Sequence, residues 1–243
     1  MLSRYSLEEL CERGLDIGLQ SIELLRPDEW PVVLAAGLEC AVATDSFCSI
    51  TEGFNDKKNH AALQAQYPEL IRKAADAGIP NVICFSGNRK GMKDEKGMDN
   101  CAQGLAPLVR EAEKAGITII MELLNSRVDH KDYMCDHTEW GVALVNKIGS
   151  PNFKLLYDIY HMQIMEGDLI HTIREHHPFI AHYHTGGVPG RREINSSQEI
   201  HYPAVVKAIA ETGYAGFIGQ EFIPSYPNKI EALEEGLWIC AAS

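Results

Sequence analysis

Three carboxylates and one imidazole stand where short apolar runs end: Glu122 in TIIMELLN (118–125), Asp158 in FKLLYDIYH (153–161), His184 in FIAHYHTGG (179–187) and Glu221 in FIGQEFI (217–223). Carboxylates gathered in a partly dry place repel one another, and a divalent cation is the simplest means of keeping them ionised. Oxygen-rich ligation with a single nitrogen suits Mn²⁺, Mg²⁺ or Co²⁺, with Zn²⁺ allowed. His161 follows Asp158 closely, just beyond the strand end, from where it bends back over the same place. Arg191, in the loop HTGGVPGRREI, offers a planar fork for a carboxylate, as does its neighbour Arg192. The alternative for each polar residue alone is an ion-paired group at a sheet rim; four in step along the chain argue for a shared site.

The elements that would position these residues come from the hydropathy pattern. Runs rich in β-branched and apolar residues, namely SIELL (21–25), ECAVATD (39–45), NVICFSG (81–87) and the four above, alternate with stretches of helical period. This alternation is that of βα units around a parallel sheet. Helices are expected at Trp30–Ala36, His60–Ala77, Asn100–Ala115, Thr138–Ile148, Asp168–His176, Pro203–Glu211 and Asn228–Ile239. Gly78, Gly116, Gly149 and Gly213 follow four of them at helix-closing positions. An earlier helix opens at Ser6-Leu7-Glu8-Glu9, which has the form of a capping box. Glu166, Gln163 and Asp168 read as the turn and cap of the helix after Asp158, and Tyr157 and Tyr160 as packing residues.

Eight helices and seven strands predict a (β/α)8 TIM barrel whose first β-strand is missing or atypical. Its closed sheet would bring the C-terminal strand ends to one mouth. A later start site, closure by MLSRY or a partner chain, and an open barrel are the three explanations for the missing strand. With no linker-like tract, residues 1–243 read as a single domain.

A net charge of −12 disfavours polyanions, so nucleic acid is not an expected partner. The basic stretch Arg89, Lys90, Lys93 and Lys96 is interrupted by Asp94 and Glu95 and reads as a solvated loop. Seven cysteines without a CxxC pair, a start lacking a signal-like apolar segment and the lack of a long apolar run point to a cytoplasmic protein with reduced thiols and no membrane association.

YDIYHMQIMEGDL, the preceding MELLN and the later HYHTGGVPGR…EI together resemble the hydroxypyruvate isomerase family, within the xylose isomerase-like barrels that include ketose 3-epimerases and endonuclease IV. The resemblance runs from about Ile22 to Phe222. It implies one divalent metal held by Glu122, Asp158, His184 and Glu221, with His161 and Arg191 at the substrate. It also implies an isomerase converting hydroxypyruvate to tartronate semialdehyde, or a related small keto acid or sugar, through an enediolate. Glu122 and Glu221 would be base and acid, and His161 would polarise a substrate oxygen. Family isomerases often carry Gln where this chain has His184, whereas the related epimerases carry His, so a ketose 3-epimerase is the alternative. A three-metal endonuclease would need more histidines at strand ends. A non-catalytic sugar-binding barrel is the alternative of another class. The expected partner is a small-molecule substrate, with a homo-oligomer allowed.

Overall fold

The structure, a computed structural model, describes residues 5–241. In chain order its elements are α1 (Leu7–Ile17), α2 (Trp30–Ala35), β1 (Val42–Ala43), α3 (Lys57–Asp76), β2 (Asn81–Cys84), α4 (Asp94–Ala115), β3 (Thr118–Glu122) and α5 (Thr138–Ile148). There follow β4 (Phe153–Asp158), α6 (Ile159–Met165), α7 (Leu169–His176), β5 (Ile180–Thr185), α8 (Tyr202–Glu211), β6 (Ile218–Gln220) and α9 (Lys229–Ala241). The six strands form one parallel sheet in chain order. Parallel neighbours need a crossover between them, and the helices supply it. The expected capping box of α1 is present: Glu9 N–H donates to Ser6 Oγ (3.2 Å) and Ser6 N–H to Glu9 Oε2 (2.8 Å). Gly116 and Gly149 close α4 and α5 in the left-handed conformation.

Several boundaries differ from the sequence expectation. α4 begins at Asp94, where Asp94 and Glu95 occupy its first turn and interact favourably with the positive end of the helix dipole. Arg89 is no solvated loop residue, because its guanidinium pairs with Asp136 (2.8 Å). The run ECAVATD keeps only Val42–Ala43 as strand. FKLLYDIYH ends as strand at Asp158 and passes directly into α6, because Asp158 is the N-cap of that helix and accepts the His161 N–H (3.1 Å). His161 therefore rides on the first helical turn and not on a loop.

SIELL lies beside β1 as a seventh, broken rung. Ile22 N–H donates to Glu39 O, Leu24 N–H to Val42 O and Thr44 N–H to Leu25 O, all at 2.8–3.0 Å. Leu24 adopts φ of 57°, which interrupts a regular strand. Between this rung and β6 lies a cleft of about 520 Å³, roofed by Leu7, Leu10, Leu233 and Leu237 of α1 and α9. Among the described residues no strand fills it; of MLSRY, the segment considered for closure, Met1–Arg4 lie outside the described residues. Among the described residues the place of the expected first strand is thus a cleft between the broken rung and β6.

The strand ends that face the mouth are tied to the loop that follows β3. Tyr133, fully buried, donates its hydroxyl proton to Glu122 O (2.9 Å) and accepts the Ser86 N–H (3.1 Å), joining the ends of β2 and β3. Asp136 accepts from Arg89 and Ser126 and pairs with His137. Burial pushes the Asp136 carboxyl up, but these partners outweigh it and hold it below its ordinary range. All seven cysteines are free. No helix among the described residues is long and apolar enough to cross a membrane.

Tyr133→Phe leaves a buried carbonyl and a buried N–H without their partner and is expected to destabilise by roughly 1–3 kcal/mol, read as a lower urea midpoint at unchanged slope. Because the folded Asp136 is depressed, its contribution is present above the unfolded value of about 3.9 and disappears as pH falls through the lower folded value. Asp136→Asn should accordingly lower stability at neutral pH and flatten its decline in acid, measured by thermal melting across that range.

Candidate active site and metal centre

Strand register brings the four residues together. Asp158 on β4 pairs with His184 on β5, Glu122 on β3 pairs with Leu156 one step earlier, and His184 pairs with Gly219 on β6. Side chains alternate along a strand, so Leu156 and Asp158 face inward together, as do His182 and His184. Glu221 lies just past β6, its N–H bonded to Thr185 O (3.1 Å), which continues the ladder far enough to aim its carboxylate at the same point. One ligand atom from each of Glu122, Asp158, His184 and Glu221 lies within 4.8 Å of the others.

The centre of the group is His184 Nδ1, 2.9 Å from Glu221 Oε2 and 3.5 Å from Glu122 Oε1. These contacts are close yet not aligned as hydrogen bonds. Glu122 Oε1, Asp158 Oδ2, His184 Nδ1 and Glu221 Oε2 are all buried without a hydrogen-bond partner. Four orphaned ligand atoms converging on one point, three of them on carboxylates, are the donor set of a divalent cation. The residues therefore fit a metal. Asp158 divides its labour: Oδ1 caps α6 through the His161 N–H, and Oδ2 turns to the cluster.

The charges of the group act on one another. Burial and the repulsion of Glu221 push Asp158 up to about 8, against the pull of Arg191 and His184. Burial likewise raises Glu122, partly offset by His184. Burial would raise Glu221 too, but the charges of His184 and Arg191 prevail and lower it to about 2. His184, although fully buried, is held well above its ordinary value by Glu221 and Glu23.

His161 is fully buried, and its ring is oriented by Asn125, whose backbone N–H (3.1 Å) and side-chain amide (2.6 Å) both meet Nδ1. With Nδ1 accepting from the backbone amide, a neutral ring carries its proton on Nε2, which faces the cluster 3.7 Å from Asp158 Oδ2. Burial, with Arg191 nearby, keeps His161 neutral. The structure also separates the two loop arginines. Arg191 Nη2 lies 2.7 Å from Glu221 Oε2 and 3.6 Å from Asp158 Oδ2, with the guanidinium 5.5 Å over the Tyr160 ring, whereas Arg192 turns to the Ile223 carbonyl. Tyr160, expected only to pack, also donates to Asp129 Oδ2 (2.8 Å) and backs Arg191. Glu166 reaches across to cap α5 at Thr138, Gln163 donates to Glu199, and Asp168 opens α7 without a side-chain cap.

Three contributors escaped the sequence reading: Asn125, His130, whose ring lies 5.3 Å from that of His161, and Glu23, which contacts both His182 and His184. Only Glu23 carried a signal, a lone carboxylate within the apolar run SIELL.

Residues 33–241 match the family model described as xylose isomerase-like TIM barrel. The chain is 32% identical over 225 residues to the 2-oxo-tetronate isomerase of Pectobacterium atrosepticum, covering 86% of this chain and 83% of that protein. It is 30% identical over 173 residues to the putative hydroxypyruvate isomerase of Homo sapiens, covering 68% of this chain and 61% of the human protein's length. Among solved structures, an AP endonuclease, family 2, from Brucella melitensis superposes with a TM-score of 0.86 at 20% identity, over 96% of this chain and 93% of the other, a likeness of fold alone. Sequence, sheet order and strand-end residues agree, and this chain belongs to the xylose isomerase-like TIM barrel family.

Proposed function

We propose that this chain is a metal-dependent isomerase that moves a proton between adjacent carbons of a small α-hydroxy carbonyl compound through an enediolate, with hydroxypyruvate and tartronate semialdehyde as the leading pair. The observation that carries the proposal is the convergence of Glu122 Oε1 and Glu221 Oε2 on His184 Nδ1, beside the unpartnered Nε2 of His161. The similarity to hydroxypyruvate and 2-oxo-tetronate isomerases supports it.

Glu122, Asp158, His184 and Glu221 would hold the cation, Mn²⁺, Mg²⁺ or Co²⁺ suiting three carboxylates and one imidazole, and Zn²⁺ being allowed. When bound, it supplies the concentrated positive charge that stabilises an enediolate. One of Glu122 and Glu221 takes the proton from the hydroxymethyl carbon as a base, and the other returns a proton to the neighbouring carbon. His161 donates its Nε2 proton to the carbonyl oxygen and regains one from the hydroxyl that becomes the new carbonyl, since Asn125 reserves the other ring nitrogen. Arg191 clamps the substrate carboxylate, its guanidinium plane braced on Tyr160. The free, mostly buried cysteines support action in a reducing cytoplasm.

His184 favours a second reading. Because the related epimerases carry His at this position, the same residues acting on a ketose would return the proton to the opposite face of one carbon. Product identity and the position of deuterium after turnover in heavy water, with hydroxypyruvate and with unphosphorylated ketoses, separate the two.

Glu221→Gln and Glu122→Gln should each lower hydroxypyruvate turnover on the order of 10²–10⁴-fold in metal-loaded protein of unchanged melting behaviour. Near-wild-type turnover in either variant would sink the two-glutamate scheme. Treatment with a chelator is expected to abolish turnover and lower the melting temperature, and readdition of Mn²⁺ to restore both. At a free metal concentration of about 100 times Kd the recovered stability is roughly 2.7 kcal/mol. A melting temperature indifferent to every divalent cation tried would remove the metal from the proposal.

A further inference from the structure

Glu23 lies outside the four-residue group, in the broken rung beside β1, and its side chain is 16% exposed. Its two oxygens go to two imidazoles, close but not aligned as hydrogen bonds: Oε1 lies 2.9 Å from His184 Nε2, and Oε2 lies 2.7 Å from His182 Nε2. The carboxylate occupies the space into which a Cβ at Gly219 would project, so glycine at that position of β6 is what admits it. Its backbone is anchored on both sides, since Ile22 and Leu24 bond to Glu39 and Val42. His182 (1% exposed) and His184 (fully buried) meet edge to face, 5.1 Å apart.

We propose that Glu23 is a positioning residue that takes the Nε2–H of His184 and so fixes the tautomer presenting the Nδ1 lone pair to the cation site, with His182 steadying the second carboxylate oxygen. The inference rests on the proposed cation site. A metal-ligating histidine needs its other ring nitrogen held by an acceptor, which sets ring rotation and raises ligand basicity. Among the described contacts of His184, Nδ1 faces Glu122 and Glu221 and Nε2 faces only Glu23. The arrangement is thus a carboxylate–imidazole pair behind the ligand atom. Glu23, His182 and His184 also bring three ligand atoms within 4.8 Å, but a cation there would meet one carboxylate instead of three and would force both nitrogens of His184 to serve metals. Positioning is the role their charge supports.

Competition against a fluorescent chelator for Mn²⁺ or Zn²⁺, with full-length wild type and Glu23→Gln, tests this. The expected result is one metal per wild-type chain and a 10–100-fold weaker Kd in Glu23→Gln, with the metal-free melting temperature lowered little or raised. In ¹⁵N-histidine-labelled, Zn²⁺-loaded wild type, the His184 Nε2–H should appear as a slowly exchanging, hydrogen-bonded proton that Glu23→Gln loses. Should Glu23→Gln fold poorly, Glu23→Met fills the same niche without the acceptor and should show the same loss of affinity. Equal affinity and an unchanged His184 resonance in a folded variant would overturn the inference while leaving the four-residue site standing. Two metals per wild-type chain would overturn it by making Glu23 a ligand. No metal binding by wild type would bring down the cation site and this inference with it.

Discussion

Four ligand atoms that have no hydrogen-bond partner of their own, brought within 4.8 Å of one another in a buried place, are the constraint around which this fold is arranged. Folding carries a free-energy cost for gathering Glu122, Asp158 and Glu221, since burial and mutual repulsion push Asp158 up to about 8 and raise Glu122 as well. Only a rigid scaffold holds such a group together. Here the scaffold is a parallel sheet whose register fixes Asp158 opposite His184 and carries Glu221 past the end of β6 through its bond to Thr185. His184 and Arg191 supply compensating positive charge. The same atoms that are costly without a cation are the ones a cation would satisfy.

Around this centre Asp158, Asn125 and Arg191 each have two jobs. Asp158 caps α6 with one oxygen and faces the cluster with the other, which ties the start of that helix to the site. Asn125 holds the loop after β3 through Val128 and Asp129 while orienting the His161 ring. Arg191 neutralises Glu221 and is itself held against Tyr160. Such sharing links the site residues to the elements that carry them.

Between the broken rung and β6, where no strand lies among the described residues, helices take over the covering. Helices α1 and α9 still cover the gap with leucines, and Glu23 reaches inward from the rung toward β5. The cleft touches the site from the side, since both Glu23 and Glu221 line it.

The sequence by itself determined the alternation of apolar runs and helices, the capping box at Ser6, and the four strand-end residues Glu122, Asp158, His184 and Glu221. These features are written in local pattern: period, capping chemistry and a charge at the end of a buried run. It also yielded His161 and Arg191, but placed the first only just beyond a strand end and left the second level with Arg192. Only tertiary structure decided those points, because a helix starting at Asp158 depends on whether that carboxylate turns back to the His161 amide. The choice between two adjacent arginines likewise depends on which guanidinium finds Glu221. Asn125 left no signal, and Glu23 showed only as a lone carboxylate within SIELL, for the same reason. Their roles consist of contacts with residues far along the chain, and no local period records which side chains the closing of a sheet will bring face to face.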